Sequence, residues 1–197
     1  MFQSDNNPRK RRDGLFLAHI GLYPKFGAFV ASYTFCIETL FKSVSEGNET
    51  ADVVAVPLLF LMRHTLELGY KFSLVHLCER NSTIFDPEER KNGERHSLTR
   101  LHERLGLEYS QALTKGIVPK SDQGFDDLYA LTEKGMRLFD KLDERSTKLR
   151  FPNIDESPSF GREEPVSLLD AKNAFDDAMI LLTSMADAIA GDEYHYG

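Results

Sequence analysis

Residues 51–80 read ADVVAVPLLFLMRHTLELGYKFSLVHLCER, and this stretch decides the fold. Its first dozen residues are apolar on most of a helical circumference, and a helix that is greasy all round has to lie at the centre of a bundle. The run Val53 to Met62 is interrupted by Pro57 and followed at once by Arg63 and His64, well short of the roughly 18 apolar residues that a membrane span needs. Pro57 either kinks the helix or marks its true first turn, where a missing N–H is tolerated. After Met62 charge enters at a fixed step. Arg63, Glu67 and Lys71 are four residues apart and therefore form one row along one face. Two readings of that row stand open. It is an exposed ion-pair ladder worth a few tenths of a kcal/mol per pair, or a polar seam at a cleft where a fixed cation holds a phosphate or carboxylate.

Towards the N-terminus, Phe26, Phe29, Val30, Tyr33, Ile37, Leu40, Phe41 and Val44 recur at steps of three and four, which predicts a helix over 24–45 opened by Pro24. Gly47 and Asn48 supply its left-handed stop. Further back lies the basic cluster Arg9-Lys10-Arg11-Arg12. No apolar run of signal-peptide length follows it, so residues 1–22 read as a solvated tail and lead-in, and the location expected is cytoplasmic.

Towards the C-terminus, residues 81–95 hold Pro87, Gly93 and a run of charges, the composition of an exposed loop. Ser97 is an N-cap candidate for a third helix carrying Leu98, Leu101 and Leu105 and running through Tyr109 and Ala112. A fourth helix is expected over 123–145, with Phe125, Leu128, Phe139 and Leu142 on one face, although Gly135 inside it costs about 1 kcal/mol against alanine. Residues 146–165 contain Pro152, Pro158, Gly161 and Pro165 and read as a surface crossing. The last helix has Ser167 and Asp170 as a capping box, then Leu168, Ala171, Phe175, Ala178, Leu182, Met185 and Ile189 up to Gly191. The fold class is thus all-α: a bundle of five main helices over 23–191, with a short tail at 192–197.

With 197 residues, 41% of them hydrophobic, the chain closes one core rather than two. A net charge of -7 argues against coating nucleic acid over its whole surface, because a positive face carries phosphate affinity. Cys36 and Cys78 each sit inside an apolar helical pattern and read as core thiols of a reducing compartment. No two of the six histidines, His19, His64, His76, His96, His102 and His195, make the i, i+4 pair that sets two ligands on one helical face, so no metal or cofactor is expected. His96 directly precedes the capping Ser97, which places its ring near backbone donors at a helix N-terminus, either as an anion site or as a simple cap. Arg150-Phe151-Pro152 follows the fourth helix, with Arg150 aimed at carboxylates such as Asp143.

The row Arg63-His64-x-Leu-Glu67-Leu-x-x-Lys71, the later His96-x-Leu-x-x-Leu101, and Asp143 followed by Arg150-Phe151-Pro152 together resemble a bacterial branch of the HEPN superfamily, over about residues 51–152. The resemblance implies a small helical bundle that forms a homodimer and acts on RNA in toxin–antitoxin or phage-defence modules. Active members are metal-independent ribonucleases with an Arg-x(4 to 6)-His motif, in which the histidine handles the proton and the arginine stabilises the phosphorane-like transition state. Here Arg95 with His102, Arg90 with His96, and Arg12 with His19 meet that spacing. None has the helical Arg-polar-x-x-x-His form of the active enzymes. The catalytic candidates are Arg95 and His102, with His96 as substitute; the ligand-binding candidates are Arg63, Glu67, Lys71, Asp143 and Arg150. Other expectations are a non-catalytic helical partner of a neighbouring gene product, and a nucleotide sensor using Arg63, Lys71 and Arg150.

Overall fold

Residue 51 opens the longest helix among the described residues, and the other four described helices are arranged by what it leaves exposed. The computed structural model describes residues 26–86, 96–118, 124–143, 149 and 165–190. Five helices run through them: α1 Phe26–Ser45, α2 Ala51–Asn81, α3 Leu98–Thr114, α4 Gly124–Asp143 and α5 Leu168–Ala190. Among the described residues there is no strand, so the expected all-α bundle is what the chain forms. No helix is long and apolar enough to cross a membrane among those residues. The basic tail, most of the two expected long loops and the C-terminal tail lie outside them.

Helix α2 packs against α1, α3 and α5 and touches α4, which makes it the central element. Leu58, Leu59, Met62, Leu66, Tyr70, Leu74 and Leu77 are all buried along it. Each leucine at this depth contributes roughly 2–3 kcal/mol through apolar area alone. Pro57 lies inside the helix and removes the N–H that would serve the Val53 carbonyl. Val53 is on the exposed side, where solvent can reach that group.

Three helices stop in the same way. Gly47 and Gly116 adopt φ of +74° and +69° after α1 and α3, and each donates its N–H three residues back while the next residue donates five back. Ser82 does this after α2 at φ 57°, donating to Glu79 O while Thr83 N donates to Cys78 O. A left-handed serine costs about 1 kcal/mol where glycine would cost none. Helix α5 begins as its sequence predicts, with Ser167 Oγ accepting from Asp170 N at 3.1 Å.

Gly135, read from sequence as a weak point of α4, has a packing reason. A Cβ there would lie 2.7 Å from the Ala174 carbonyl and 3.0 Å from Ala178 Cβ, so α4 and α5 approach more closely than any side chain would allow. The expectation that both cysteines are core thiols needs correcting. Cys78 is buried, whereas Cys36 is exposed: it precedes the fully buried Ile37 by one residue, a rotation of about 100° that turns it off the core face.

Candidate functional site

The charged row on α2 lies inside the protein. Arg63 and Glu67 are each 1% exposed and Lys71 is 7% exposed. An exposed ladder is therefore ruled out, and the polar-seam reading needs refinement, because the seam is filled by the protein's own groups. Arg63 Nε donates to the Asp143 carbonyl at 2.8 Å, Nη2 to the His96 carbonyl at 2.7 Å, and Nη1 reaches Glu67 Oε2 at 3.5 Å. Glu67 Oε1 accepts from Lys71 Nζ and from His96 Nδ1, both at 2.8 Å. Since a carboxylate only accepts, His96 Nδ1 carries the proton in this contact.

One guanidinium thus ties the middle of α2 to the end of α4 and the approach to α3. Asp143 is itself fully buried and takes the Leu149 N–H on Oδ2 at 3.2 Å. Burial by itself would raise the Glu67 carboxyl, but the Lys71 ammonium and the His96 ring outweigh it and hold the group below the ordinary carboxylate value. Of the residues expected here, Arg63, Glu67, Lys71, His96 and Asp143 do converge. Arg150 lies outside the described residues, as do Arg90 and Arg95.

The N-terminus of α3 was a second expected anion site, and the chain supplies the anion. Ser97 caps it, accepting from Arg100 N at 3.4 Å. Asp140 of α4 then inserts Oδ2 against Thr99 N at 3.2 Å and against Thr99 Oγ1. A carboxylate is what the positive end of a helix favours. His96 points instead to Glu67.

His102 sits one turn further along α3. It is 4% exposed, its Nδ1 lies 3.1 Å from Tyr70 Oη, and its ring stacks on Tyr129 at 4.0 Å. Tyr129 Oη donates to the His102 carbonyl at 3.0 Å. Burial drives the imidazole pKa down to about 4, with Glu133 opposing and Arg137 reinforcing, so the ring is neutral at pH 7. Together with Thr99, Glu103, Glu133, Met136, Arg137 and Asp140, it lines a groove of about 420 Å³ between α3 and α4. Of the two expected catalytic residues that are described, His102 lines that groove and His96 does not.

Sequence reading missed a further buried carboxylate. Glu108 on α3 is 1% exposed and accepts on Oε2 from Asn81 Nδ2 and Thr83 Oγ1, both at 2.8 Å, while Arg104 Nη2 approaches Oε1 at 2.5 Å. Asn81 Nδ2 also donates to the Glu108 carbonyl, and Lys115 Nζ to the Asn81 carbonyl. Burial acts to raise the Glu108 carboxyl, and the Asn81 and Thr83 hydrogen bonds with the Arg104 charge bring it below its ordinary value. The signal was present only as Arg104 and Glu108 at i, i+4, indistinguishable from a surface pair.

Chemically, the Arg63 cluster is a closed set: each guanidinium nitrogen and each Glu67 oxygen already has a partner. Among the described residues no group of three or more His, Cys, Asp or Glu side chains is placed to hold a metal ion. The groove at His102, by contrast, is open to solvent. Comparison of the chain with family models, curated proteins and solved structures yields no match in any of the three.

Proposed function

We propose that the chain is a HEPN-like helical domain that works by binding a protein partner, as an accessory component of a bacterial stress or phage-defence module acting on RNA. The observation that carries this reading is how the family-like residues are used. Arg63, Glu67, Lys71 and His96 are consumed in one another and in two backbone carbonyls, which fastens α2 to the flanks of α3 and α4. Side chains used this way shape a bundle, and both described cations of the nucleotide-sensor reading, Arg63 and Lys71, are engaged with the protein's own acceptors, which weighs against that reading. Purified full-length chain is expected to leave RNA intact in the presence of a chelator and to form a stable complex with the product of a neighbouring gene. Failure to form any complex would overturn the proposal.

One observation favours a second reading, a metal-independent ribonuclease. His102 faces an open groove that also contains Arg137, a histidine and an arginine of the kind such chemistry uses. Its depressed pKa weighs against it, since a group titrating near 4 is a weak base at pH 7. Metal-free cleavage that disappears in His102→Ala and in Arg137→Ala would replace the first reading with this one.

A further inference from the structure

The groove between α3 and α4 is built of unequal parts. Three carboxylates, Glu103, Glu133 and Asp140, face one guanidinium, Arg137. That guanidinium is already engaged, its Nε and Nη2 donating to Glu133 Oε1 at 3.1 and 2.6 Å. Glu103 makes no hydrogen bond or ion pair among the described residues. Asp140 spends Oδ2 on the cap of α3, while its Oδ1 is buried with no hydrogen-bond partner. A buried acceptor in that state is uncommon, because leaving it unpaired costs about 1–3 kcal/mol.

His102 adds an independent feature. The Tyr70 side chain is fully buried and the hydrogen bond of its hydroxyl is to His102 Nδ1; the tautomer that keeps the buried hydroxyl proton paired is the one in which the hydroxyl donates and Nδ1 accepts. The proton of the neutral ring is then on Nε2. One ring face is covered by Tyr129, the ring lines the groove, and Nε2 makes no hydrogen bond among the described residues. The wall therefore offers one fixed N–H donor beside an excess of acceptors, with Met136 contributing apolar surface between them.

We infer that this groove takes a basic peptide segment of a protein partner: an arginine side chain against Glu103, Glu133 and Asp140, its methylene stem along Met136, and a main-chain carbonyl on His102 Nε2–H. A guanidinium matches carboxylates in planar, paired geometry. A phosphate is repelled by the same carboxylates. A polyamine would satisfy the acids but has no acceptor for the histidine, whereas a peptide carries both functions a few ångströms apart. The chain's net charge of -7 acts in the same direction, drawing a basic partner in from a distance. The inference rests on the binding role proposed above and names the chemistry of what is bound.

The test titrates an acetylated, amidated Gly-Arg-Gly-Arg-Gly peptide into the full chain by calorimetry at low salt, with spermidine as a second probe. Wild-type protein is expected to bind the peptide at least roughly tenfold more tightly than spermidine, a difference of about 1.4 kcal/mol. The Glu103→Gln/Glu133→Gln double variant should lose that binding by a similar factor. A charge-matched Glu49→Gln/Asp52→Asn variant, altered at the α1–α2 corner, should retain it. His102→Leu, which removes the N–H donor, should weaken the peptide and leave spermidine unchanged. Equal loss in the corner variant would reduce the effect to net charge and overturn the site, as would absence of binding; equal affinity for spermidine would overturn the peptide. A complex with a neighbouring gene product that ignores the groove variants would sink this inference and leave the binding role standing.

Discussion

Glu67 and Glu108 are both carboxylates at 1% exposure, and the protein compensates them by different means. Glu67 is held by charge: Arg63 one turn before it and Lys71 one turn after it on the same helix, with His96 closing from another segment. Glu108 is held chiefly by neutral donors from elsewhere, the Asn81 amide and the Thr83 hydroxyl at the end of α2, with Arg104 as the one cation. Removing the negative charge at the first site strands buried cations, whereas at the second it leaves donors that an uncharged oxygen can still satisfy. Equal burial therefore does not mean equal dependence on ionisation.

The largest expected effect follows directly. Glu67→Gln should destabilise the chain by about 3–5 kcal/mol, the usual consequence of breaking a buried ion pair on one side. The midpoint of urea unfolding, with an unchanged slope, checks this. A loss below 1 kcal/mol would show that the two sites do not differ.

Acid titration separates a third buried group from both. His102 has a folded pKa near 4 against 6.5, so the unfolded chain binds the extra proton between those values and stability falls as pH drops from about 6.5 to 4. The size is about 2–3 kcal/mol at 1.36 kcal/mol for each pH unit, allowing for partial hydration. Glu67 and Glu108, both lowered, contribute stability that is present above 4.5 and lost only as the pH falls through their folded values. His102→Gln, whose amide can still accept from Tyr70, should flatten the upper window and spare the lower one in denaturation curves taken across pH.

Glu108→Gln should cost about 1 kcal/mol, the net worth of a typical hydrogen-bonded contact, because Asn81 and Thr83 keep an oxygen to donate to and Arg104 is partly solvated. A cost matching that of Glu67→Gln in the same urea assay would remove the distinction. The smallest effect is a gain. Ser82→Gly should stabilise by about 0.5–1 kcal/mol by relieving the left-handed serine beside the Glu108 cluster, seen as a rise of a few degrees in thermal midpoint.

How much was legible follows from the same contrast. Periodicity located all five helices, and Gly47 marked a true stop, because local steps of three and four encode both. The row Arg63, Glu67 and Lys71 was visible for the same reason. Its burial was not, since a sequence gives spacing but not the helices that cover a face. The burial of Glu108 was invisible because Arg104 beside it reads as a surface pair, while Thr83 and Asn81 lie 25 and 27 residues away and are neutral. Asp140 at the cap of α3, 41 residues from Thr99, is another long-range contact with no local trace. Cys36 was misread because its neighbours are apolar while its own direction is not inward.

Gly135 carries one further consequence. Five residues after it on α4 comes Asp140, which caps α3, and three residues later Asp143, whose carbonyl receives Arg63. With no room for even a methyl group against the Ala174 carbonyl, the contact works as a keyway that sets how far α4 can slide along α5. A wedge such as Gly135→Ala would be felt not only where it is driven in but at both anchors downstream on the same rigid rod, so the smallest side chain of the helix governs the alignment of its most distant polar contacts.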